Sequence, residues 1–413
     1  MSMHHQQAVT RSIDPGLSIS SRSITEAILR RIVGDLECGE LVIETPSGNR
    51  LVLSGARSGL QAKVIIHSWR CLWRIFHSWD IGFADAYIAG EWSSPNLVDL
   101  LKLSCNNCAV VESLNFLRTP RFWLRLRHAM NRNTKRGSRR NIAAHYDLGN
   151  EFYAYWLDAG MTYSAAPFSS GRQTLEEAQD EKLDRILKFL DLAGGESVLE
   201  IGCGWGSLAE RLIDRHDCAV TGITLSAEQL TYAQRRLREG GLDGRADLRQ
   251  QDYRDVRETF DRVVSIEMLE AVGEAYWPTY FEKLRDSMRP GGVAVLQVIT
   301  IDEARFVNYR RRPDFIQKYV FPGGMLPTVE IIEREVAEAG LKLVAKEFFS
   351  EGYARTLEEW QHRFQDAWPA IKGRGFDERF KRTWEYYLAY CQAGFETGAI
   401  NVGLYKVAQC ASM

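Results

Sequence analysis

A glycine-rich segment at residues 200–206, with the sequence EIGCGWG, carries the clearest sign of chemistry in this chain. It follows an apolar run typical of a strand and precedes a helical pattern. Gly202, Gly204 and Gly206 allow the backbone to turn sharply and lie against a ligand, while the N-terminus of the next helix favours a negative group. Glycines also serve plain tight turns, but the preceding strand, the acid Glu200 and a second strand further on favour a nucleotide-type site.

The segments after the glycines argue against a dinucleotide cofactor. A dinucleotide site expects GxGxxG and an acid at the end of the second strand to bind the ribose. Here the glycines are spaced GxGxG, and the second predicted strand ends in Thr224-Leu225-Ser226. Asp252 and Tyr253 follow the next short apolar segment. Asp252 could accept a hydrogen bond from an adenine amino group while Tyr253 packs on the ring, or the two could be an exposed loop acid and a half-buried aromatic.

A single acid interrupts another apolar run. Glu270 lies within residues 268–272 (MLEAV), whose other members are apolar. An ionised carboxylate buried in such a run is costly unless a partner or a function holds it there. Glu270 is therefore a candidate catalytic residue.

The elements that would position these residues alternate between strand and helix from residue 141 onward, which is typical of a parallel sheet covered on both faces. The predicted strands lie at 197–201, 219–224, 262–265 and 293–299, with a closing antiparallel pair at 343–348 and 402–407. Thr174 and Glu177 form a capping box for a helix running toward Leu190. A further helix is predicted over 227–238 and ends at two glycines. The pattern predicts an α/β fold.

A length of 413 residues is enough for one large domain and a smaller one. Residues 1–24, rich in Ser, His and Gln, are predicted to be a disordered tail. Residues 25–115 form a predicted small α+β domain with a hairpin turn at 46–48. Residues 116–140 are a basic, amphipathic linker, and residues 141–413 are the catalytic domain.

The linker contains nine basic residues between Arg118 and Arg140 and no acidic one, interleaved with aromatic and aliphatic side chains. One interpretation is a solvated connector between the domains. The other is a membrane-binding segment, in which apolar groups enter the headgroup region and each arginine gains about 1 kcal/mol from an anionic surface. The second interpretation makes the small domain lipid-associated.

Composition argues against several classes of protein. The net charge of −2 disfavours a globally basic nucleic-acid binder. Eight cysteines follow no regular framework, and the CxxC pair of Cys105 and Cys108 lacks the further ligands of a zinc site, so we expect no metal. The polar N-terminus lacks a signal peptide, and no stretch approaches the roughly 20 apolar residues of a transmembrane helix. These features predict a cytoplasmic protein that meets the inner membrane face from the side.

Several ordered segments match a known family. They are 145–150 (HYDLGN), 161–164 (MTYS), 198–206 (VLEIGCGWG), 222–229 (GITLSAEQ), 265–273 (SIEMLEAVG), 319–324 (YVFPGG) and 386–388 (YYL). On these motifs the chain resembles the cyclopropane fatty acid synthase family over essentially its whole length. Residues 82–92 (GFADAYIAGEW) look like the N-terminal domain of the bacterial phospholipid-modifying members.

The resemblance implies a fold, a cofactor and a reaction. The family binds S-adenosylmethionine on a Rossmann-like, seven-stranded sheet and methylates the cis double bond of unsaturated acyl chains in membrane phospholipids, giving cyclopropane fatty acids. It also implies a peripheral membrane surface as partner and no nucleic acid, and it leaves a homodimer open. By motif match the residues around the cofactor would be Tyr163, Ser164, Glu200, Gly202, Gly204, Thr224, Gln229 and Tyr253, with Gln229 on the ribose.

The resemblance further implies a bound bicarbonate as the base. In the family it is held by a Cys, a Glu, a His, a backbone group of an Ile and a Tyr. Glu270, Ile299 and Tyr353 match three of these, whereas Ala165 stands for the Cys and Gln297 for the His. Gln297 keeps an amide N–H but cannot carry a proton, so a bicarbonate could be retained in a changed position.

Two products compete from one cation on the acyl chain. Loss of a proton from the added methyl closes a cyclopropane ring, and loss from a neighbouring carbon leaves a methyl-branched alkene. Cys391 matches a Cys once proposed as the family's nucleophile, but direct methyl transfer leaves it a packing role. A nucleic-acid methyltransferase would need an Asn/Asp-Pro-Pro-aromatic motif where residues 265–268 stand. A non-catalytic lipid-binding protein is the remaining alternative.

Overall fold

The computed structural model describes residues 18–107, 133–135, 137–138, 141 and 148–409. These residues form one four-stranded and one seven-stranded sheet. The first sheet and its helices comprise α1 Ser18–Val33, β1 Cys38–Glu44, β2 Arg50–Ser54, β3 Arg57–Ile66, α2 Arg70–Ile88, β4 Trp92–Ser93 and α3 Leu97–Asn106. Its strand order is β2-β1-β3-β4.

Helix α1 begins inside the segment that the sequence predicts to be a disordered tail. Because α1 starts at Ser18, the prediction of a disordered tail is wrong for residues 18–24. Residues 18–23 are rich in serine, which is not typical of a helix interior, so the sequence did not indicate that a helix starts there. Residues 1–17 lie outside the described part of the chain. The predicted hairpin is confirmed, since β1 and β2 pair antiparallel and place Glu44 opposite Arg50 across the turn.

The large sheet comprises β5 Ser197–Ile201, β6 Ala219–Thr224, β7 Ala246–Gln250, β8 Phe260–Ile266, β9 Met288–Ile301, β10 Leu341–Phe348 and β11 Ile400–Gln409. Its order is β10-β11-β9-β8-β5-β6-β7. β5 to β9 pair in parallel, whereas β11 pairs antiparallel with both β9 and β10. The predicted parallel sheet and its closing antiparallel pair are confirmed.

Helices accompany the large sheet along the chain. They are α4 Asn150–Ala154, α5 Leu175–Leu190, α6 Ser207–His216, α7 Ala227–Glu239, α8 Trp277–Asp286, α9 Glu303–Tyr309, α10 Phe315–Tyr319, α11 Val329–Glu338, α12 Ser350–Gly373 and α13 Glu378–Glu396. Both faces of the sheet are buried, because the adjacent β8 residues Val263 and Val264 belong to two different apolar clusters. The capping box of Thr174 and Glu177 is present at the start of α5.

Helix α13 connects the two domains by packing against both α2 and α3 of the small one. On α2, Asp85 accepts hydrogen bonds from Lys318 Nζ at 2.7 Å and from the Tyr319 hydroxyl at 2.5 Å. Tyr87, also on α2, donates its hydroxyl to Glu385 at 3.3 Å. These buried and half-buried contacts hold the small sheet against one side of the large domain.

The predicted linker at 116–140 lies almost entirely outside the described residues. Of its described members, Asn133 donates its amide to the carbonyl oxygens of Ala271 at 2.9 Å and Gly323 at 2.8 Å, which fixes this end to the large domain. No helix in the described ranges is long and apolar enough to span a bilayer. The exact domain boundaries stay predictions.

Candidate active site

The glycine turn follows β5 at the carboxyl edge of the large sheet. Gly202, Gly204 and Gly206 have φ angles of 87°, 53° and 86°, in the left-handed region that glycine adopts without strain. Helix α6 begins directly afterwards at Ser207, which brings backbone N–H groups to the turn. A Cβ atom built on Gly204 would meet no atom within 4 Å, so space beside this residue is open to a ligand. The predicted sharp turn is present.

Glu200, on β5, adds a buried acid to this turn. Its side chain is 4% exposed, and one carboxylate oxygen has no hydrogen-bond partner among the described residues. Burial raises the pKa of this carboxyl to about 8. A buried carboxyl without a partner suits a cationic ligand, and S-adenosylmethionine carries both an ammonium and a sulfonium group. The residues at this turn therefore fit that cofactor.

The end of β6 supplies a second set of polar groups. The Thr224 hydroxyl donates to Gln229 Oε1 at 3.0 Å, and Ser226 Oγ accepts a hydrogen bond from the Gln229 backbone N–H at 3.2 Å. Thr224 and Gln229 are buried and line the same cavity as the glycine turn. The Thr224 contact holds the Gln229 side chain, while the contact of Gln229 with the ribose stays a prediction.

Asp252 is buried, so the alternative of an exposed loop acid is wrong. Its two carboxylate oxygens accept from Arg254 Nε at 2.8 Å and Nη2 at 2.7 Å. Tyr253 lines the cavity and packs edge-on against Tyr280, with ring centroids 5.5 Å apart. Arg254 was not predicted as a site residue, although its basic side chain lies only two positions after Asp252 in the sequence. The hydrogen bond from adenine to Asp252 stays a prediction.

Tyr163 and Ser164 lie in the loop before α5. The Tyr163 hydroxyl is hydrogen-bonded to that of Tyr387 on α13 at 2.7 Å, and Ser164 Oγ accepts from Lys182 Nζ at 2.6 Å. Lys182 is 1% exposed, and burial lowers the pKa of its ammonium to about 8. Lys182 was not predicted as a site residue, because a lysine on an amphipathic helix is usually at the surface.

A second carboxylate, Glu267, lies just past the end of β8 and was also missed. Its Oε1 accepts from the Ala165 N–H at 2.8 Å and from Gln297 Nε2 at 2.7 Å, and its Oε2 accepts from the Tyr353 hydroxyl at 2.7 Å. Burial raises the pKa of Glu267, whereas these hydrogen bonds and the charge of Lys182 act to lower it. The signal was available in the sequence, since Glu267 precedes the apolar run that contains Glu270.

The backbone of Glu267 is strained. Its φ angle of 49° lies in the left-handed region, which is unfavourable for a residue with a long side chain. The Glu267 N–H donates to the Gln297 carbonyl oxygen at 2.8 Å and helps to hold this conformation. Strain retained by surrounding contacts is a common feature of functional sites.

Glu270, predicted to be catalytic, has a different environment. Its Oε1 accepts from the Ile299 N–H at 2.5 Å, and its other oxygen has no partner among the described residues. Burial, followed by the charge of Glu267, raises the pKa of Glu270 to about 8. The residues predicted to surround one anion are therefore divided between two carboxylates.

Cys391 lies on α13 and lines the same cavity. Burial raises the pKa of its thiol, which keeps it protonated. A protonated thiol is a poor nucleophile, in agreement with the packing role predicted for Cys391.

One cavity of about 740 Å³ is lined by most of these groups, although Gly206, Ala165 and Gln297 are not among its lining residues. It begins at the glycine turn, passes Glu267 and Glu270, and continues into the small domain. There its wall is apolar and includes Leu29, Leu41, Ile43, Val64, Ile66 and Leu100. A polar cofactor site thus opens directly into an apolar chamber shared by both domains.

The fold and this turn define a class of protein, the S-adenosylmethionine-dependent methyltransferases. The sequence model of the family described as Mycolic acid cyclopropane synthetase matches residues 133–405. This chain belongs to that family, and it is an S-adenosylmethionine-dependent methyltransferase of the cyclopropane synthase type. The predicted family, the predicted fold class and S-adenosylmethionine as the cofactor are confirmed.

Individual relatives agree with this assignment. The chain is 41% identical over 334 residues to tuberculostearic acid methyltransferase UfaA1 of Mycobacterium tuberculosis, covering 78% of this chain and 77% of that protein. It is 35% identical over 333 residues to cyclopropane-fatty-acyl-phospholipid synthase of Escherichia coli, covering 80% and 83%. A crystal structure of mycolic acid cyclopropane synthase CmaA1 complexed with SAH and CTAB superposes with a TM-score of 0.62 at 28% identity, covering 66% of this chain and 98% of that one.

Proposed function

We propose that this protein transfers the methyl group of S-adenosylmethionine to the cis double bond of an unsaturated acyl chain in a membrane phospholipid. The observation that supports this most directly is the single cavity in which the glycine turn meets the apolar wall of the small domain. A cofactor with an apolar chain beside it requires such a mixed site. The names of the relatives support the same class of substrate.

The side chains of the cavity suit this reaction. When bound, S-adenosylmethionine supplies an electrophilic methyl group, and an alkene is a weak nucleophile that must be held in line with it. The rings of Tyr163, Tyr353 and Tyr387 line the cavity, where aromatic faces stabilise positive charge on the acyl chain. The apolar walls exclude water, which would otherwise trap that cation.

The product we propose is a cyclopropane fatty acid. A second candidate, a methyl-branched unsaturated chain, is favoured by two observations. Ala165 and Gln297 replace two residues that the family uses around its base, and UfaA1, a tuberculostearic acid methyltransferase, is 41% identical. The position of the base relative to the cation decides between the two products.

The test is a transfer assay with methyl-labelled S-adenosylmethionine and vesicles of unsaturated phospholipid, followed by gas chromatography with mass detection of the released fatty acids. We expect label in the lipid and a ring-containing product. Vesicles of saturated phospholipid and duplex DNA are the controls and should remain unlabelled. Binding of both ligands without any transfer would instead indicate a lipid-binding protein.

The proposal includes peripheral binding to the inner membrane face, supported by a surface on α2. Trp69, Trp73 and Phe76 are 41%, 68% and 62% exposed, large values for aromatic side chains. Other residues of the same helix, among them Leu72 and Ile75, line the cavity. Aromatic side chains are favoured at the boundary of a bilayer, so this helix is suited to lie there with the cavity behind it.

A flotation assay with anionic vesicles tests this surface. We expect Trp73→Ser with Phe76→Ser to reduce the vesicle-bound fraction severalfold without lowering the melting temperature. The matched control is Val344→Ser, which changes a 50% exposed apolar residue on β10. Equal flotation of both variants would contradict the assignment of this surface.

A further inference from the structure

The donors that would hold a bicarbonate are already engaged. The hydroxyl of Tyr353 and the amide of Gln297 both donate to Glu267, at 2.7 Å each. The backbone N–H of Ile299 donates instead to Glu270 at 2.5 Å. A bicarbonate placed here would lose these donors and would lie beside a carboxylate of like charge. The residues present therefore do not fit the anion that the family resemblance implies.

The two carboxyl groups divide the charge unequally. Glu267 accepts three hydrogen bonds and lies in the field of the Lys182 ammonium, both of which favour its ionised form. Glu270 accepts one hydrogen bond from a backbone N–H, and its second oxygen has no partner among the described residues. A carboxyl in that environment holds its proton. Burial raises the pKa of both carboxyl groups, but only Glu267 has three donors and a nearby ammonium to stabilise a carboxylate, so Glu267 is the member of the pair better suited to ionise.

We infer that the Glu267 carboxylate takes the place of bicarbonate and is the general base of this enzyme. The inference rests on the proposed methyl transfer. Glu267 lines the cavity with one oxygen bound to the Ala165 side and the other to Tyr353. Ala165 supplies a backbone N–H to this carboxylate, and the Gln297 amide donates to it without competing as a base.

The step balances without any further reactant. The π electrons of the alkene form a carbon–carbon bond to the methyl group as its bond to sulfur breaks, and S-adenosylhomocysteine leaves. A C–H bond of the resulting cation then breaks, and its electron pair forms the ring bond or a new double bond. The proton passes to the Glu267 carboxylate, and it returns to solvent when the product leaves.

The experiment measures initial rates of methyl transfer to unsaturated phospholipid vesicles in buffer purged of carbon dioxide, with and without added bicarbonate. We expect the wild-type rate to be the same in both. Glu267→Gln should lower the rate by about 100-fold or more, since a positioned base typically contributes that much. Its calorimetric affinity for S-adenosylmethionine should be unchanged. Glu274→Gln is the matched control, because Glu274 pairs with Arg310 and should keep the wild-type rate.

A rescue experiment covers the case in which Glu267→Gln folds poorly. Glu267→Gly relieves the strain at the φ angle of 49°, which offsets part of the cost of the donors it leaves unpaired, so it should still fold but melt a few degrees below the wild type. It leaves the Tyr353 and Gln297 donors facing the vacated volume, and added formate or bicarbonate should restore activity severalfold. A well-folded Glu267→Gly that no small anion rescues would count against the inference.

Failure of the role inferred for Glu267 can be distinguished from failure of the proposed function. A wild-type enzyme that transfers methyl only when bicarbonate is added overturns the role of Glu267 alone, as does a Glu267→Gln enzyme at the wild-type rate. A wild-type enzyme that transfers no methyl under any condition overturns the proposed function and, with it, the base.

Discussion

The cofactor side and the base side of the cavity are built in different ways. The cofactor side comes from short consecutive segments at the carboxyl ends of β5 and β6, where backbone conformation does most of the work. The base side joins Ala165, Glu267, Gln297 and Tyr353, which are far apart in the chain. The cofactor turn is therefore specified by local sequence, whereas the chemistry next to it depends on a few side chains that only the fold brings together.

The largest expected effect is the loss of cofactor binding when the glycine turn alone is changed. Gly204→Asp should abolish measurable binding of S-adenosylmethionine, because a side chain and a negative charge would enter the space that the turn leaves open. Isothermal titration calorimetry measures this. Gly244→Asp is the control, since Gly244 also has no neighbour within 4 Å of a built Cβ but lies outside the cavity. Unchanged affinity in Gly204→Asp would remove the turn from the site.

A smaller effect separates the two sides. Tyr353→Phe removes one of three hydrogen bonds to Glu267, so we expect kcat to fall by about tenfold while the affinity for S-adenosylmethionine is kept. Steady-state kinetics together with calorimetry gives both values. Tyr155→Phe, at a half-buried tyrosine outside the cavity whose hydroxyl accepts from Arg374, should change neither. A fall in cofactor affinity with unchanged kcat would show that Tyr353 acts on the cofactor and does not act on Glu267.

Proton release sharpens the description of the cofactor side. The pKa of Glu200 is raised to about 8, so its carboxyl is largely protonated at pH 7 in the free protein. A cationic ligand favours the carboxylate, so binding should release up to one proton at pH 7, and the affinity should rise with pH until about 8. Calorimetry in two buffers of different ionisation enthalpy detects this release. Glu200→Gln should eliminate it, and a buffer-independent heat in the wild type would refute this role.

The smallest effect concerns stability on the base side. The pKa of Glu270 is about 8 in the folded protein, above its unfolded value, so its contribution to stability is full below the unfolded pKa and is lost as pH rises through about 8. Glu270→Gln mimics the protonated form and lacks that loss. We expect its melting temperature to exceed that of the wild type by roughly a few degrees at pH 8.5 and to differ less at pH 5. A constant difference between these two pH values would contradict the raised pKa.

Much of the cofactor side could be predicted because its information is local. Glycine spacing, the strand before Gly202 and the capping box at Thr174 each depend on neighbours in sequence, and all three are present in the structure. The base side could not be predicted in the same way. Glu267 is bound by Ala165, which lies more than a hundred residues away in the chain. Lys182 is buried, and a charged residue type does not suggest burial.

Boundaries and exposure were also hard to predict. The start of α1 at Ser18 was hidden by serines, and Asp252 proved to be buried against Arg254 although acids after a strand are usually exposed. Asp252 and Arg254 are only two residues apart, so this pair was open to a local interpretation, whereas the composition of residues 18–23 does not indicate the start of a helix.

The convergence of donors on Glu267 constrains how this site can evolve. Loss of Glu267 alone leaves two side-chain donors unpaired in a largely buried site, which typically costs about 1–3 kcal/mol each. Gain of a Cys at position 165 or a His at position 297 alone would crowd or compete with a carboxylate that is already satisfied. The effect of a substitution at position 165, 267 or 297 therefore depends on the residues at the other two positions. We expect these three positions to change together among descendants of this gene, and we expect few mutational routes between the alternatives.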